Sequence, residues 1–278
     1  MKIAVFFGNV ISASAESGMS IPGLLELFRK SGAEGLEICV GEYHKYKNEL
    51  DEAVRNGFEI SSVYNEYRFQ NGELDPDEVI RHIHCAARLG CPKILIIPGF
   101  YTDLENRELC EKEKDSFRVC IGTVCRMARD TGITPLLEDY DHFLSPVCHM
   151  TDVLWFAERI PGLSVTFDAG NLIYAGETEF DAMAGIESLE RRLGRQLIAN
   201  VHCKDRTPSD KGYGRFTALD GREFCPEVLG EGCIDYRWLV GKLRERSYNG
   251  YLVVENFAVK GYVDFMLRSI KNISELIG

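Results

Sequence analysis

Short apolar runs recur along the 278-residue chain, each bounded by a turn signal and followed by a stretch whose apolar positions fall three and four apart. Eight of them read as strands: "KIAVFFG" near 2–8, "GLEICVG" near 35–41, "FEISSVY" near 58–64, "KILIIPG" near 93–99, "ITPLLE" near 133–138, "LSVTFD" near 163–168, "LIANVH" near 197–202 and "YLVVEN" near 251–256. Between them lie helical patterns such as "IPGLLELFRKSG", "HKYKNELDEAVRNG", "PDEVIRHIHCAARLG" and a long one from about 104 to 131. Near-continuous apolar strands alternating with helices predict a parallel sheet covered by helices. Eight such units predict an α/β protein, a (β/α)8 TIM barrel spanning 1–278 as one domain, with no linker in sight.

Gly32, Gly57, Gly90, Gly132, Gly162 and Gly250 stand just past helical runs, where a left-handed cap is expected. A doubly wound open sheet shares the alternation, but no GxGxxG follows the first strand, and "FFGNVISASAESG" is a poor phosphate cradle. The long break at residues 203–233, rich in Gly, Pro and charge, predicts a functional loop.

Active sites of such barrels form where the strands end. Here four consecutive strands end in Glu138, Asp168, His202 and Glu255. Side chains alternate along a strand, so each shares a face with the residue two before it, and neighbouring strands lie close enough for four inward groups to meet. Any one of them alone has a plain reading, a helix cap or a satisfied core histidine. Together, three carboxylates in one place repel unless a cation sits among them, which predicts one divalent ion. Three hard oxygens and an imidazole suit Mn²⁺, Mg²⁺, Co²⁺ or Zn²⁺. Cys203 points the opposite way from His202 and is not counted as a ligand.

With "LLEDY", "TFDAGN", "NVHCKD", "GEGCIDY" and "VVEN" in this order and at barrel spacing, the chain resembles the xylose isomerase-like barrels. That superfamily includes sugar isomerases, ketose 3-epimerases, hydroxypyruvate isomerase, inosose dehydratase and AP endonucleases. The resemblance implies that Glu138, Asp168, His202 and Glu255 bind one divalent ion, manganese among the options, and that Glu138 and Glu255 double as catalytic acid and base. A sugar isomerase or epimerase would then move a proton next to a carbonyl through an enediolate. An inosose-type dehydratase would use the same site and expel a hydroxyl. A three-zinc nuclease of the AP-endonuclease kind needs more histidines than the six present. A sugar-binding barrel without chemistry is the remaining alternative.

The chain also departs from these relatives. Asn171 stands where many carry a histidine, and Asn cannot titrate. Leu144 stands where ketose 3-epimerases tend to carry a second Glu, which weakens that assignment in particular.

Candidate substrate contacts are Asn171, Lys204, Arg206, Tyr64, Asn65 and His142, with Arg215 as a further anion grip. Glu37, within the second strand, reads either as pocket lining or as a buried, paired carboxylate. His82 and His84 fall on a helix outside the barrel, and Phe6, Phe7 and Trp155 read as core.

A formal net charge of −11 opposes binding to nucleic acid. No apolar run is long enough to span a membrane. The N-terminus reads as a strand and not as a signal peptide, and ten scattered cysteines without a CxxC pair read as reduced, so a cytoplasmic protein is expected. The expected partner is a small sugar or polyol-like molecule, and analogy with often dimeric or tetrameric relatives suggests a homo-oligomer.

Overall fold

The eight apolar runs become the staves of a closed parallel barrel. The structure, a computed structural model, describes residues 1–209 and 211–278. Its strands in chain order are β1 (Lys2–Phe6), β2 (Ala33–Cys39), β3 (Glu59–Glu66), β4 (Lys93–Ile97), β5 (Thr134–Glu138), β6 (Ser164–Asp168), β7 (Ile198–Cys203), β8 (Asp205–Pro208), β9 (Phe216–Thr217), β10 (Glu223–Glu227) and β11 (Tyr251–Val254). Strands β1 to β7 and β11 close the (β/α)8 barrel in sequence order, with β11 pairing to β7 on one side and β1 on the other.

Alternation sorts each strand between two environments. Ile3, Val5, Ile94, Ile96, Val165, Phe167, Val201 and Cys203 pack outward into the large apolar layer beneath the helices. The buried sulfur of Cys203 therefore belongs to that layer. Ala4, Phe6, Tyr251 and Val253 form a small inner cluster with Tyr64 against it. At the N-terminal end of the barrel the interior is filled: Lys93 Nζ donates to Ala199 O at 2.9 Å and lies over the Tyr251 ring, and the Tyr251 hydroxyl donates to Glu59 Oε2 at 2.5 Å.

Several details differ from the sequence expectations. The first strand stops at Phe6, and a helix, Phe7–Ser17, follows without a loop. That splits two adjacent phenylalanines, Phe7 entering the outer core and Phe6 facing the barrel interior. The stretch after β2 forms two short helices, Val40–Lys45 and Lys47–Arg55, broken at Tyr46. Gly250 is not left-handed; after the helix Tyr236–Glu245 that role falls to Ser247, at φ 53°. Trp155 is half-buried, its ring covered by Lys114 and Arg159.

The segment 203–233 is not a plain loop: β8, β10 and β9 form an antiparallel sheet, although Asp210 within it lies outside the described residues. Asp205 anchors it. Its Oδ1 accepts from the backbone N–H of Arg206 and Ile234, and its Oδ2 from Gly230 and Gly232. A Cβ on Gly232 would lie 2.2 Å from Asp205 Oδ1, so only glycine allows this approach. The cysteines are free thiols and mostly buried. No helix among the described residues is long and apolar enough to cross a membrane.

Candidate metal centre

Strands β5, β6 and β7 and the residue just past β11 carry Glu138, Asp168, His202 and Glu255 to one point. Each offers a ligand atom, and these atoms all lie within 4.8 Å of one another. An ion bound at about 2.1 Å would hold opposite ligands about 4.2 Å apart, so the spread suits a single ion. His202 Nδ1 lies 2.7 Å from Glu138 Oε1 and 2.8 Å from Glu255 Oε2. Neither contact has hydrogen-bond alignment, and Nδ1, Glu255 Oε2 and Asp168 Oδ2 are buried without a hydrogen-bond partner. Buried lone-pair atoms without hydrogen-bond partners, converging from two strands and a strand end, fit a cation.

The surroundings orient these side chains. Asp168 Oδ1 caps the helix Ala169–Ala175 by accepting from the N–H groups of Gly170 and Asn171, which leaves Oδ2 for the cluster. A Cβ on Gly170 would lie 2.4 Å from Lys204 O, so the "DAG" turn packs this tightly only with glycine. His202 Nε2 lies 2.9 Å from Glu37 Oε1, and Asn200 donates to Glu37 Oε2 at 2.9 Å. A carboxylate can only accept, so Nε2 carries the proton and Nδ1 presents its lone pair to an ion. Glu37 is thus the buried, paired carboxylate of the two readings given to it.

Lys204 reaches the same cluster. Its Nζ donates to Asn171 Oδ1 at 2.8 Å and lies 3.0 Å from Asp168 Oδ2, off the hydrogen-bond direction, and 3.4 Å from Glu255 Oε1. Asn171 in turn donates to Asp139 O at 2.7 Å and touches Glu138 Oε1 at 3.4 Å. The Asn in place of a His therefore clamps Glu138 and Lys204 together.

Electrostatics divide the two glutamates. Burial raises Glu138 to about 8 despite His202 beside it. Burial acts the same way on Glu255, but Lys204 and His202 overcome it and hold the carboxyl at about 2. Burial also raises Asp168, with Lys204 opposing. For His202, burial would depress the imidazole, but Glu138, Glu37 and Glu255 together raise it well above its usual range.

A cavity of about 400 Å³ opens above the cluster, and Glu138, His202, Lys204, Asn171, Glu255 and Tyr64 line it. Three other expected contacts lie elsewhere. Asn65 alternates between Tyr64 and Glu66, so it faces outward and donates to Glu78 Oε1. His142 packs on Phe100 and Phe143, its Nδ1 accepting from Leu144 N. Arg206 lies on the Phe216 ring with Asp141 3.8 Å away, outside the cavity lining. Arg215 pairs with Glu223 in the small sheet. His82 is a buried structural residue and His84 is exposed.

Phe6, expected in the core, lines the cavity, and so do Glu42, Glu66, Tyr140, Asp141 and Phe257, which no sequence motif singles out. Glu66 had a signal, because the inward parity of Tyr64 extends to it once β3 runs two residues further. Tyr140 and Asp141 follow Glu138 directly, and Phe257 follows Glu255 by two.

Over residues 25–274 the chain matches the xylose isomerase-like TIM barrel family, and it belongs to that family. Inosose dehydratase of Clostridium perfringens (strain 13 / Type A) is 25% identical over 180 residues, covering 60% of this chain and 56% of the relative. Inosose dehydratase of Clostridium beijerinckii is 28% identical over 167 residues, 55% of this chain and 51% of the relative. The chain thus spans about half the length of the curated relatives it matches. Among solved structures, the IOLI protein with a bound zinc atom superposes with a TM-score of 0.72 at 15% identity, covering 100% of this chain and 98% of that one. A D-tagatose 3-epimerase-like protein superposes at 0.71 and 18% identity, covering 100% and 97%. The probable 3-DHS dehydratase AsbF of Bacillus anthracis does so at 0.71 and 15%, covering 99% of each chain. At these identities the superpositions establish the barrel fold.

Proposed function

We propose that this chain is a divalent-metal-dependent isomerase or epimerase that moves a proton next to the carbonyl of a sugar-like hydroxy ketone through an enediolate. The observation that carries the reading is the convergence of Glu138, Asp168, His202 and Glu255 on one point beside a cavity of sugar size. These four residues would hold the ion, with Mn²⁺, Mg²⁺, Co²⁺ or Zn²⁺ matching the donor set. A bound divalent ion supplies Lewis-acid stabilisation of negative charge developing on the substrate oxygens. Glu138 and Glu255 flank the cavity as the acid/base pair: one takes the proton from the carbon and the other delivers one to the opposite face or the adjacent carbon. Lys204, Asn171 and Tyr64 are the polar side chains placed to hold substrate hydroxyls.

A second reading, an inosose-type dehydratase, is favoured by the names of the curated relatives. It uses the same proton abstraction and then expels a hydroxyl. A nuclease has less support, since a single ligand group occurs among the described residues and the cavity beside it is acidic.

The test is incubation of the Mn²⁺-loaded protein in D₂O with ketoses and inososes, followed by mass spectrometry. Solvent deuterium incorporated without loss of water is the expected result, and loss of water decides for the dehydratase. Glu138→Gln and Glu255→Gln should each abolish the exchange. Undiminished exchange in either variant overturns the acid/base assignment.

A further inference from the structure

Beside the ligand set, the cavity lining carries three more carboxylates, Glu42, Glu66 and Asp141. Against the five lining carboxylates stands one ammonium, Lys204, the sole Lys or Arg among the described lining residues. That ammonium is already engaged by Asn171 Oδ1, Asp168 Oδ2 and Glu255 Oε1. The arginines that could grip an anion are turned elsewhere, Arg206 onto Phe216 and Arg215 onto Glu223. Even if Arg206 is credited with neutralising Asp141 from behind and a divalent ion is added, the carboxylates of the cavity and ligand set outnumber the positive charges.

Most of the remaining wall is aromatic, with Leu95 and Ile97 beside it. The Phe6 ring stacks on Tyr64 at 5.2 Å, and Phe257 meets Phe6 edge-on at 5.6 Å. Phe257 is 45% exposed, although it stands two residues past a ligand. Aromatic faces carry partial negative charge and accept the C–H-bearing face of a polyol, while ionised carboxylates only accept hydrogen bonds and so match hydroxyl donors. Neither surface receives a phosphate or a carboxylate.

We infer that this site selects substrates that are uncharged away from the reacting carbonyl, taking free ketoses or inososes and rejecting their phosphate esters and polyhydroxylated keto acids. The inference rests on the proton-transfer reading above and narrows its substrate class. Like-charge juxtaposition across a binding surface weakens affinity strongly, so a phosphate ester should bind roughly tenfold or more weakly than its parent sugar.

The experiment is isothermal titration of protein loaded with one equivalent of Mn²⁺ and freed of excess metal. D-fructose, D-tagatose and D-ribulose are each paired with their own phosphate ester, an inosose is included, and metal retention is read in parallel. The expected result is binding of at least one neutral compound with its ester tenfold weaker. An ester that binds as tightly as its parent overturns the inference and leaves the proton-transfer reading intact. Retained metal with no neutral or charged compound bound overturns both. The double variant Glu66→Gln/Asp141→Asn, which leaves the four ligands in place, should shrink the neutral-to-phosphate preference several-fold, and an unchanged preference removes the electrostatic explanation.

Discussion

Glu37 on β2 reaches across the barrel interior to His202 on β7, with Oε1 2.9 Å from Nε2. The contact fixes both the ring orientation and the tautomer that leaves Nδ1 facing Glu138 and Glu255. Outer groups of this kind typically contribute about ten- to a hundredfold to metal affinity. Glu37→Gln should therefore weaken Mn²⁺ binding by about that factor while the far-ultraviolet circular dichroism stays native. Titration calorimetry giving wild-type affinity would show that Glu37 does not orient the ligand.

Asp205 holds the small sheet to the barrel through four backbone N–H groups. Hydrogen bonds to a charged acceptor contribute about 1.5–3 kcal/mol each and are not additive, so Asp205→Ala should cost about 3 kcal/mol or more. Gly232→Ala, whose methyl would collide with Asp205 Oδ1 and Arg206 O, should give the same phenotype. Faster limited proteolysis confined to 205–234 is the expected reading. Wild-type protease resistance in both variants would contradict the anchoring role.

His82 is fully buried, its Nε2 facing Val63 O and its Nδ1 facing the Tyr67 hydroxyl, each at 2.8 Å. A carbonyl only accepts, so Nε2 donates and Nδ1 accepts from Tyr67. Burial pushes the imidazole down to about 4 from a usual value of 6.5. The folded pKa is depressed, so the stabilising contribution is complete above pH 6.5 and fades as pH falls toward 4. The whole span is about 3 kcal/mol. Urea unfolding of wild type against His82→Gln across pH 4–7 should show the variant with the shallower acid loss. Parallel curves would mean that other groups carry that slope.

The convergence of four side chains was legible because a closed parallel barrel turns the last inward residue of each strand toward one mouth, and Glu138, Asp168, His202 and Glu255 interrupt apolar runs there. Residues whose position depends on where a strand stops were harder to place. Phe6 and Phe7 look alike in a sequence, and only the helix starting at Phe7 sends one ring into the cavity. Asn65 and Glu66 exchange roles for the same reason, through two further residues of β3. Glu37 sits inside an apolar strand, and its partner is 165 positions away, so local pattern cannot name it. The "KDR" after His202 divides three ways, Lys204 to the ligand cluster, Asp205 to the loop anchor and Arg206 to an aromatic face, and strand parity separates only the first of these.

Because Tyr251, Lys93 and Glu59 stopper the opposite end of the barrel, the cavity is a blind well. On the proposed function, reactant and product would share one doorway, and a molecule seated over Glu138 and Glu255 would stand between them and bulk water. Under the proposed reaction, deuterium would enter the product through whichever carboxylate had exchanged with solvent while the well stood open, between one molecule's departure and the next one's arrival.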